Sequence, residues 1–213
     1  MTSRARLPQL NYAKLAPMDD IVKQAMAKWP NVPHCYGWLA LDARGAWRMR
    51  DEAAQGANAP GDKLNNPTLV GFINRNYAHD EQGRWYFQNG PQRVYVNLEA
   101  TPFIARTDPA QGMTVQTGAA LPSIERLFLT ESGEAIVQAG EIVAQVDDRD
   151  VAPLFEHLEL DGKPVGDEAL LAWLDNETGT LTLRYRGAQV PVERVARDAL
   201  PQRFGFVRTP APA

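Results

Sequence analysis

The sequence predicts an α+β protein with a mostly antiparallel sheet, built from two similar halves that each contain a β-hairpin, a helix and a second β-hairpin. Three observations lead to this fold class. Aromatic and branched residues alternate with polar residues on both sides of turn sequences, which is typical of hairpins. Apolar residues with helical spacing lie between the hairpins. The same order of elements then recurs in the second half of the chain.

Residues 1–33 are predicted to form an N-terminal arm and one helix. Pro17, followed by two aspartates, is typical of a helix start, and Pro30 ends the helix. We therefore expect residues 1–16 to form an irregular arm and the helix to dock on the body of the protein or on a partner. Its apolar stripe, at spacings of three and four, consists of Ile21, Val22, Ala25, Met26 and Trp29.

Residues 34–106 are predicted to form the first α+β unit. A hairpin is expected over residues 35–50 and a helix over residues 67–77. Residues 53–66 between them are rich in Ala, Gly, Asn and Pro, which favours a mobile loop. The strongest strand pattern covers residues 83–96, where two runs with a period of two flank a turn.

Residues 107–122 have little periodicity and are predicted to be a connector to the second α+β unit, residues 123–213. Residues 39–45 align with residues 127–133, which indicates an internal duplication. The alternative is that two hairpin-helix-hairpin segments align by hydrophobic pattern alone. The apolar positions of the last hairpins coincide without a gap: Trp85, Phe87, Val94 and Val96 fall on Leu181, Leu183, Val190 and Val192.

Composition predicts a folded, cytoplasmic protein. The chain has 213 residues, of which 44% are hydrophobic, so it can bury a core. Its first residues lack the apolar run of a signal peptide, and no stretch approaches the length of a membrane span. The one cysteine cannot form an internal disulfide, so nothing indicates an oxidising compartment.

The charge is distributed unevenly along the chain. The net charge is −4, and residues 120–178 carry 14 acidic against 3 basic side chains. A surface of that sign repels phosphate backbones, which argues against nucleic-acid binding.

The sequence lacks the motifs of the common enzyme classes. It has no nucleophile elbow, no phosphate-binding or dinucleotide-binding glycine loop, and no His or Cys spacing for zinc. His34 and Cys35 are adjacent on a predicted strand and point to opposite faces, so Cys35 is expected to be a buried structural residue. We therefore assign no catalytic residue, no metal ligand and no cofactor.

An alternative function is a carboxylate-dependent or divalent-metal-dependent enzyme that uses the acidic segment, residues 147–159. Its oxygen ligands suit calcium or magnesium, although it lacks the spacing of an EF-hand. The competing interpretation is a solvated acidic turn with an aspartate that caps the following helix.

The candidate ligand site lies in the first half, where planar donors are interleaved with aromatic rings, a composition common on recognition surfaces. Arg75 and Arg93 could bind a carboxylate or phosphate through their paired donors. The alternative is that the asparagines cap a helix C-terminus, the arginines are solvated and the aromatic residues belong to the core. The candidate residues are Asn74, Arg75, Asn76, Tyr77, Arg84, Tyr86 and Arg93.

The strings PHCYGWL (residues 33–39), FINRNY (72–77) and GRWYFQNGPQRVYV (83–96) resemble a family of uncharacterised proteobacterial proteins. This resemblance extends over most of the chain and implies no catalytic residue, substrate or cofactor. The sequence thus favours a non-catalytic binding or regulatory protein that recognises a small anionic ligand or a protein partner. A homo-oligomer is expected from the aromatic hairpins, and a self-associating structural module is a further alternative.

Overall fold

The computed structural model describes residues 17–212, and the arm predicted for residues 1–16 lies outside them. The described part contains six α-helices and two mostly antiparallel sheets, so the predicted α+β class is confirmed. The helices are α1 (Asp20–Lys28), α2 (Glu52–Gly56), α3 (Pro67–Arg75), α4 (Asp148–Phe155), α5 (Asp167–Asn176) and α6 (Leu200–Phe204), with a 3₁₀ helix (Arg197–Ala199) directly before α6. Among the described residues, no helix combines the length and apolar character needed to cross a bilayer.

The first sheet has six strands: β1 (Cys35–Leu41), β2 (Trp47–Met49), β3 (Asp62–Lys63), β4 (Tyr77–His79), β5 (Trp85–Asn89) and β6 (Gln92–Leu98). Their order in the sheet is β3-β2-β1-β6-β5-β4. All neighbouring strands are antiparallel except the central β1 and β6, which are parallel.

The second sheet has nine strands: β7 (Phe103–Asp108), β8 (Gly112–Val115), β9 (Arg126–Leu129), β10 (Ala135–Ala139), β11 (Ile142–Val146), β12 (Leu158–Leu160), β13 (Lys163–Pro164), β14 (Leu181–Tyr185) and β15 (Ala188–Arg194). Their order in the sheet is β13-β12-β14-β15-β9-β10-β11-β7-β8. Here β15–β9 and β11–β7 are parallel, and the other pairs are antiparallel.

The two sheets share a set of strand pairings at the aligned positions of the sequence. In each half the first strand pairs with its hairpin partner on one side and, in parallel, with the last strand on the other. The register also corresponds. Equivalent pairs are Phe87–Val94 and Leu183–Val190 in the last hairpins, and Leu39–Val96 and Leu127–Val192 in the parallel pairs. An origin of both halves by duplication stays a prediction.

The sheets are joined by one continuous hydrophobic core. The Tyr77 ring in β4 lies 5.1 Å from the ring of Trp47 and 5.8 Å from that of Phe103, which belongs to the second sheet. Helix α3 covers the first sheet through the buried Ile73 and through Phe72, whose ring meets that of Phe87 edge-on. Side chains from both sheets therefore form a single interior.

Two segments differ from their predicted conformation. The predicted connector, residues 107–122, contains the end of β7 and all of β8, because Met113 and Val115 are buried at alternating positions of a short hairpin. Residues 53–66, predicted to be a loop, contain most of α2 and all of β3, and the buried Arg50 donates to the Ala59 carbonyl inside this segment. The elements α2, β3 and β8 are too short for their periodicity to be recognised. The domain boundaries themselves stay a prediction.

Helix α1 forms where it is predicted, but only part of its apolar stripe is covered. Val22 is buried, while 74% of Ile21 and 51% of Trp29 are exposed. The helix therefore packs on the body through its central residues and leaves both ends of the stripe in solvent.

Candidate functional site

A polar pocket of about 380 Å³ lies at the turn between β4 and β5, beside β6. Three of the seven candidate residues line it, namely Arg84, Tyr86 and Arg93. The other lining residues are His79, Asp80, Glu81 and Gln82. These four do not belong to the predicted set, although an aspartate three residues before a glycine between two strands is a recognisable turn signal.

Asp80 shapes the turn that forms one wall of the polar pocket. Its Oδ1 accepts hydrogen bonds from the backbone N–H groups of Gln82 and Arg84, both at 3.0 Å. The Gly83 amide donates to the Asp80 carbonyl at 3.0 Å, with Gly83 at φ +73°. Because glycine has no Cβ, it adopts this left-handed conformation without steric cost. The turn is therefore fixed by its own sequence.

Arg84 is neutralised within the pocket wall. Its Nε donates to Asp80 Oδ2 at 2.8 Å, and the Tyr95 hydroxyl donates to the same oxygen at 3.0 Å. Burial raises the pKa of the Asp80 carboxyl, but the hydrogen bonds from Arg84 and Tyr95 outweigh it, so the pKa lies below its usual value. Asp80 is thus ionised at neutral pH and engaged by protein donors. The paired charges of Asp80 and Arg84 stabilise the turn, and few of their hydrogen-bonding groups remain free for a ligand.

Arg93 differs from Arg84 because no described residue neutralises it. Its guanidinium carbon lies 4.5 Å from the ring centroid of the buried Tyr86, a cation–π arrangement. Among residues 17–212, no carboxylate oxygen lies within 4.0 Å of its nitrogens. A charged donor group is therefore held over an aromatic ring at the edge of the pocket.

Arg75 and Asn76 lie elsewhere and hold the start of α1. Asn76, the C-cap residue of α3, donates to the Phe72 carbonyl at 2.9 Å and accepts from the Asp19 amide at 2.9 Å. The Arg75 guanidinium bonds both carboxylate oxygens of Asp19. The hydrogen bonds from Arg75 and Asn76 hold the pKa of Asp19 below its usual value. Both candidate residues thus anchor a helix rather than line the polar pocket.

Asn74 and Tyr77 are also occupied by contacts within the protein. The Asn74 side chain accepts from Trp47 Nε1 at 2.8 Å and donates to the Gln116 carbonyl at 3.0 Å. The buried Tyr77 hydroxyl donates to the Pro102 carbonyl at 3.0 Å. The bonds to Gln116 and Pro102 link α3 and β4 to the segments that flank strands β7 and β8 of the second sheet. The seven candidate residues therefore separate into three at the polar pocket and four in structural positions.

The acidic segment does not form a cation site among the described residues. Asp147 is buried and caps α4, Asp148 pairs with Arg44, and Asp150 accepts from the Thr107 amide. In the part of the chain that the structure describes, no three His, Cys, Asp or Glu side chains are grouped to hold a metal ion. The carboxylates are instead engaged by protein donors.

The fold and the pocket define an α+β protein with a polar surface pocket and no assigned reaction. Residues 18–211 match the model of the family DUF2944, which is described as "Protein of unknown function (DUF2946)", and the chain belongs to that family. The predicted membership of an uncharacterised family is thereby confirmed, while a proteobacterial origin stays a prediction.

One solved structure is similar over most of both chains. It is the crystal structure of a DUF1285 family protein from Silicibacter pomeroyi DSS-3. The two chains are 16% identical in sequence, and the structural match has a TM-score of 0.47 and covers 86% of this chain and 90% of that chain. No curated protein matches the sequence.

Proposed function

We propose that this protein is a non-catalytic binding protein that recognises a small molecule through an anionic group in the polar pocket. The placement of Arg93 carries this proposal: its guanidinium lies on the Tyr86 ring and has no ion-pair partner among the described residues. An arginine fork binds a carboxylate or phosphate through two parallel hydrogen bonds. The contact with the Tyr86 ring restricts the guanidinium before any ligand binds, which lowers the entropy cost of binding.

The size and charges of the polar pocket support a small ligand with an anionic group. A volume of about 380 Å³ is near the lower end of small-molecule sites. The Asp80 carboxylate is already engaged by Arg84 and Tyr95. The charged side chains that remain to act on a ligand are therefore Arg93 and the exposed Glu81, which both line the pocket. A negative group close to Glu81 is repelled, so the ligand's anionic end should face Arg93 and its remainder the solvent.

Replacing Arg93 with alanine is expected to weaken anion binding at least ten-fold. A hydrogen bond to a charged group contributes about 1.5–3 kcal/mol, and 1.4 kcal/mol corresponds to ten-fold in affinity. The measurement is a thermal-shift screen against inorganic phosphate, succinate and small phosphorylated metabolites, followed by calorimetric titration of each hit. A ligand at 100 times its Kd adds about 2.7 kcal/mol to the free energy of unfolding, which is readily detected.

Two further variants test whether the change in affinity is specific to Arg93 and depends on charge. Arg75→Ala removes an arginine that pairs with Asp19 outside the polar pocket, so ligand affinity should not change. Glu81→Gln removes a repelling charge at an exposed site and should strengthen anion binding about two- to five-fold. If Arg75→Ala and Arg93→Ala weaken binding equally, or if no anion shifts the melting temperature, the proposal is wrong.

The other expectations from the sequence belong to this proposal. A protein partner that presents a carboxylate or phosphate would bind to Arg93 in the same way. A homo-oligomer and a cytoplasmic location stay predictions. No contact in the described residues favours the enzyme that was considered for residues 147–159.

A further inference from the structure

A second cavity, about 290 Å³ in volume, lies on the other face of the six-stranded sheet, between α3 and strands β1 and β2. Neighbouring strand residues separate the two sites: Phe87 and Val94 line this cavity, whereas Tyr86 and Arg93 line the polar pocket. Successive side chains of a strand point to opposite faces. The two cavities are therefore independent, and occupation of one does not fill the other.

This apolar cavity has a buried floor and an exposed rim. Leu39 and Ile73 at its floor are each 2% exposed. Its rim carries large apolar side chains that remain in contact with solvent, with Trp38 and Met49 each 41% exposed and Leu69 36% exposed. Clustered exposed apolar side chains around a depression are typical of a binding site.

An irregularity in β1 builds one wall of the apolar cavity. From Cys35 to Leu39 the strand advances four residues, while its partner β6 advances only two, from Val94 to Val96. In a regular strand Trp38 and Leu39 would point to opposite faces, yet both line this cavity. Gly37 lies inside the irregular stretch at φ +81°, a conformation that glycine adopts readily. The distortion places the Trp38 ring at the rim.

The chemistry of the lining selects an uncharged ligand. None of the described residues that line the apolar cavity is charged, and the polar groups of its side chains are the Asn89 amide, the Cys35 thiol and the Trp38 indole N–H. Moving a charged group into such surroundings without a partner is strongly unfavourable. An engineered cavity of about 150 Å³ binds benzene, so roughly twice that volume suits one or two aromatic rings or an aliphatic group of similar size.

We infer that the apolar cavity binds a small, uncharged apolar molecule of one or two rings in size, held between α3 and the irregular part of β1. The inference does not depend on the polar pocket. The volume of about 290 Å³, enclosed by apolar side chains from α3, β1 and β2, fits a molecule of that size.

The test uses the full chain and the uncharged fluorophore N-phenyl-1-naphthylamine, whose emission rises in apolar surroundings. We expect saturable binding of one molecule per chain with a Kd on the order of micromolar. Leu69→Trp places an indole at the rim and should weaken binding at least ten-fold. The matched control is Leu171→Trp on α5, a 62% exposed site outside the cavity, which should leave the Kd unchanged.

A second readout uses Cys35, the one cysteine of the chain. Because its half-buried thiol lines the apolar cavity, saturating fluorophore should slow its reaction with methyl methanethiolsulfonate at least five-fold. The inference is overturned by absence of saturable binding, by equal Kd values for wild type and Leu69→Trp, or by an unchanged reaction rate of Cys35. It is also overturned if the wild type self-associates, Leu69→Trp abolishes this, and the fluorophore does not bind, because the face would then be an interface between copies of the chain.

Discussion

Alanine in place of Gly83 is expected to lower the free energy of unfolding by about 3–5 kcal/mol, since two costs combine. Gly83 has φ +73°, which strains any residue with a Cβ. An added Cβ would also lie 1.9 Å from the carbonyl oxygen of Gly205 and 2.9 Å from its carbonyl carbon. Both are backbone atoms, so the close approach cannot be relieved by rotating a side chain. Urea denaturation of the wild type and the variant measures the difference.

The matched control is Gly133→Ala. Gly133 has φ +83°, but no atom lies within 4 Å of a Cβ built there. Gly133→Ala should therefore lower the free energy of unfolding only by the cost of backbone strain, about 1–2 kcal/mol. Equal losses for the two variants would show that contact between the turn and the C-terminal segment contributes nothing to stability.

The C-terminal segment is the reason that Gly83 has so large an expected effect. After α6 the chain returns to the first sheet, where the Val207 amide donates to the Gly83 carbonyl at 3.0 Å. The Leu98 amide donates to the Arg208 carbonyl at 2.7 Å. The end of the second half thus supports the turn that forms the polar pocket. Gly83→Ala should therefore also weaken anion binding, although Gly83 itself is not a lining residue.

The hairpins could be predicted because their patterns are local. In β5 and β6, alternation fixes which side chains share a face, and the turn at residues 89–92 fixes the register. The same holds for β14 and β15, so aligned sequence positions have corresponding registers. The pairing of β8 with β7 and the irregularity in β1 could not be read from the sequence, since they depend on what packs against these strands.

The candidate site could be predicted only in part, because one sequence does not show which arginine has a partner. Arg75 and Arg93 look equivalent along the chain, yet Arg75 pairs with Asp19, 56 residues away. Asn76 is the C-cap of α3, as in the alternative in which asparagines end this helix. Helix-end chemistry and ligand chemistry use the same residue types, so tertiary contacts decide between them.

Asp147→Ala is expected to lower the free energy of unfolding by about 2–3 kcal/mol at neutral pH. The Asp147 side chain is 1% exposed, caps α4 through the Arg149 amide and accepts from Arg149 Nε at 2.8 Å and Arg106 Nε at 3.2 Å. Both arginine side chains are more than half exposed. They stay hydrated when the carboxylate is removed, so the loss should fall short of that for a fully buried ion pair.

The dependence of this difference on pH follows from the charge of Asp147. Hydrogen bonds from the Arg149 side chain outweigh burial and hold the pKa of Asp147 well below its ordinary value of 3.8. A lowered pKa in the folded state means that the carboxylate stabilises the protein fully above the unfolded pKa and loses this contribution as pH falls further. The difference between wild type and Asp147→Ala should therefore be constant from about pH 5 to pH 8 and shrink below about pH 4.

The neighbouring Asp148 provides the control, because its side chain is 61% exposed and pairs with the equally exposed Arg44. Asp148→Ala should cost less than about 1 kcal/mol, since exposed ion pairs contribute little. Urea denaturation at pH 7, pH 5 and pH 3.5 separates the two variants. If both lose the same free energy, or if the effect of Asp147→Ala is unchanged at pH 3.5, then burial of the Asp147 carboxylate among its arginines does not stabilise this fold.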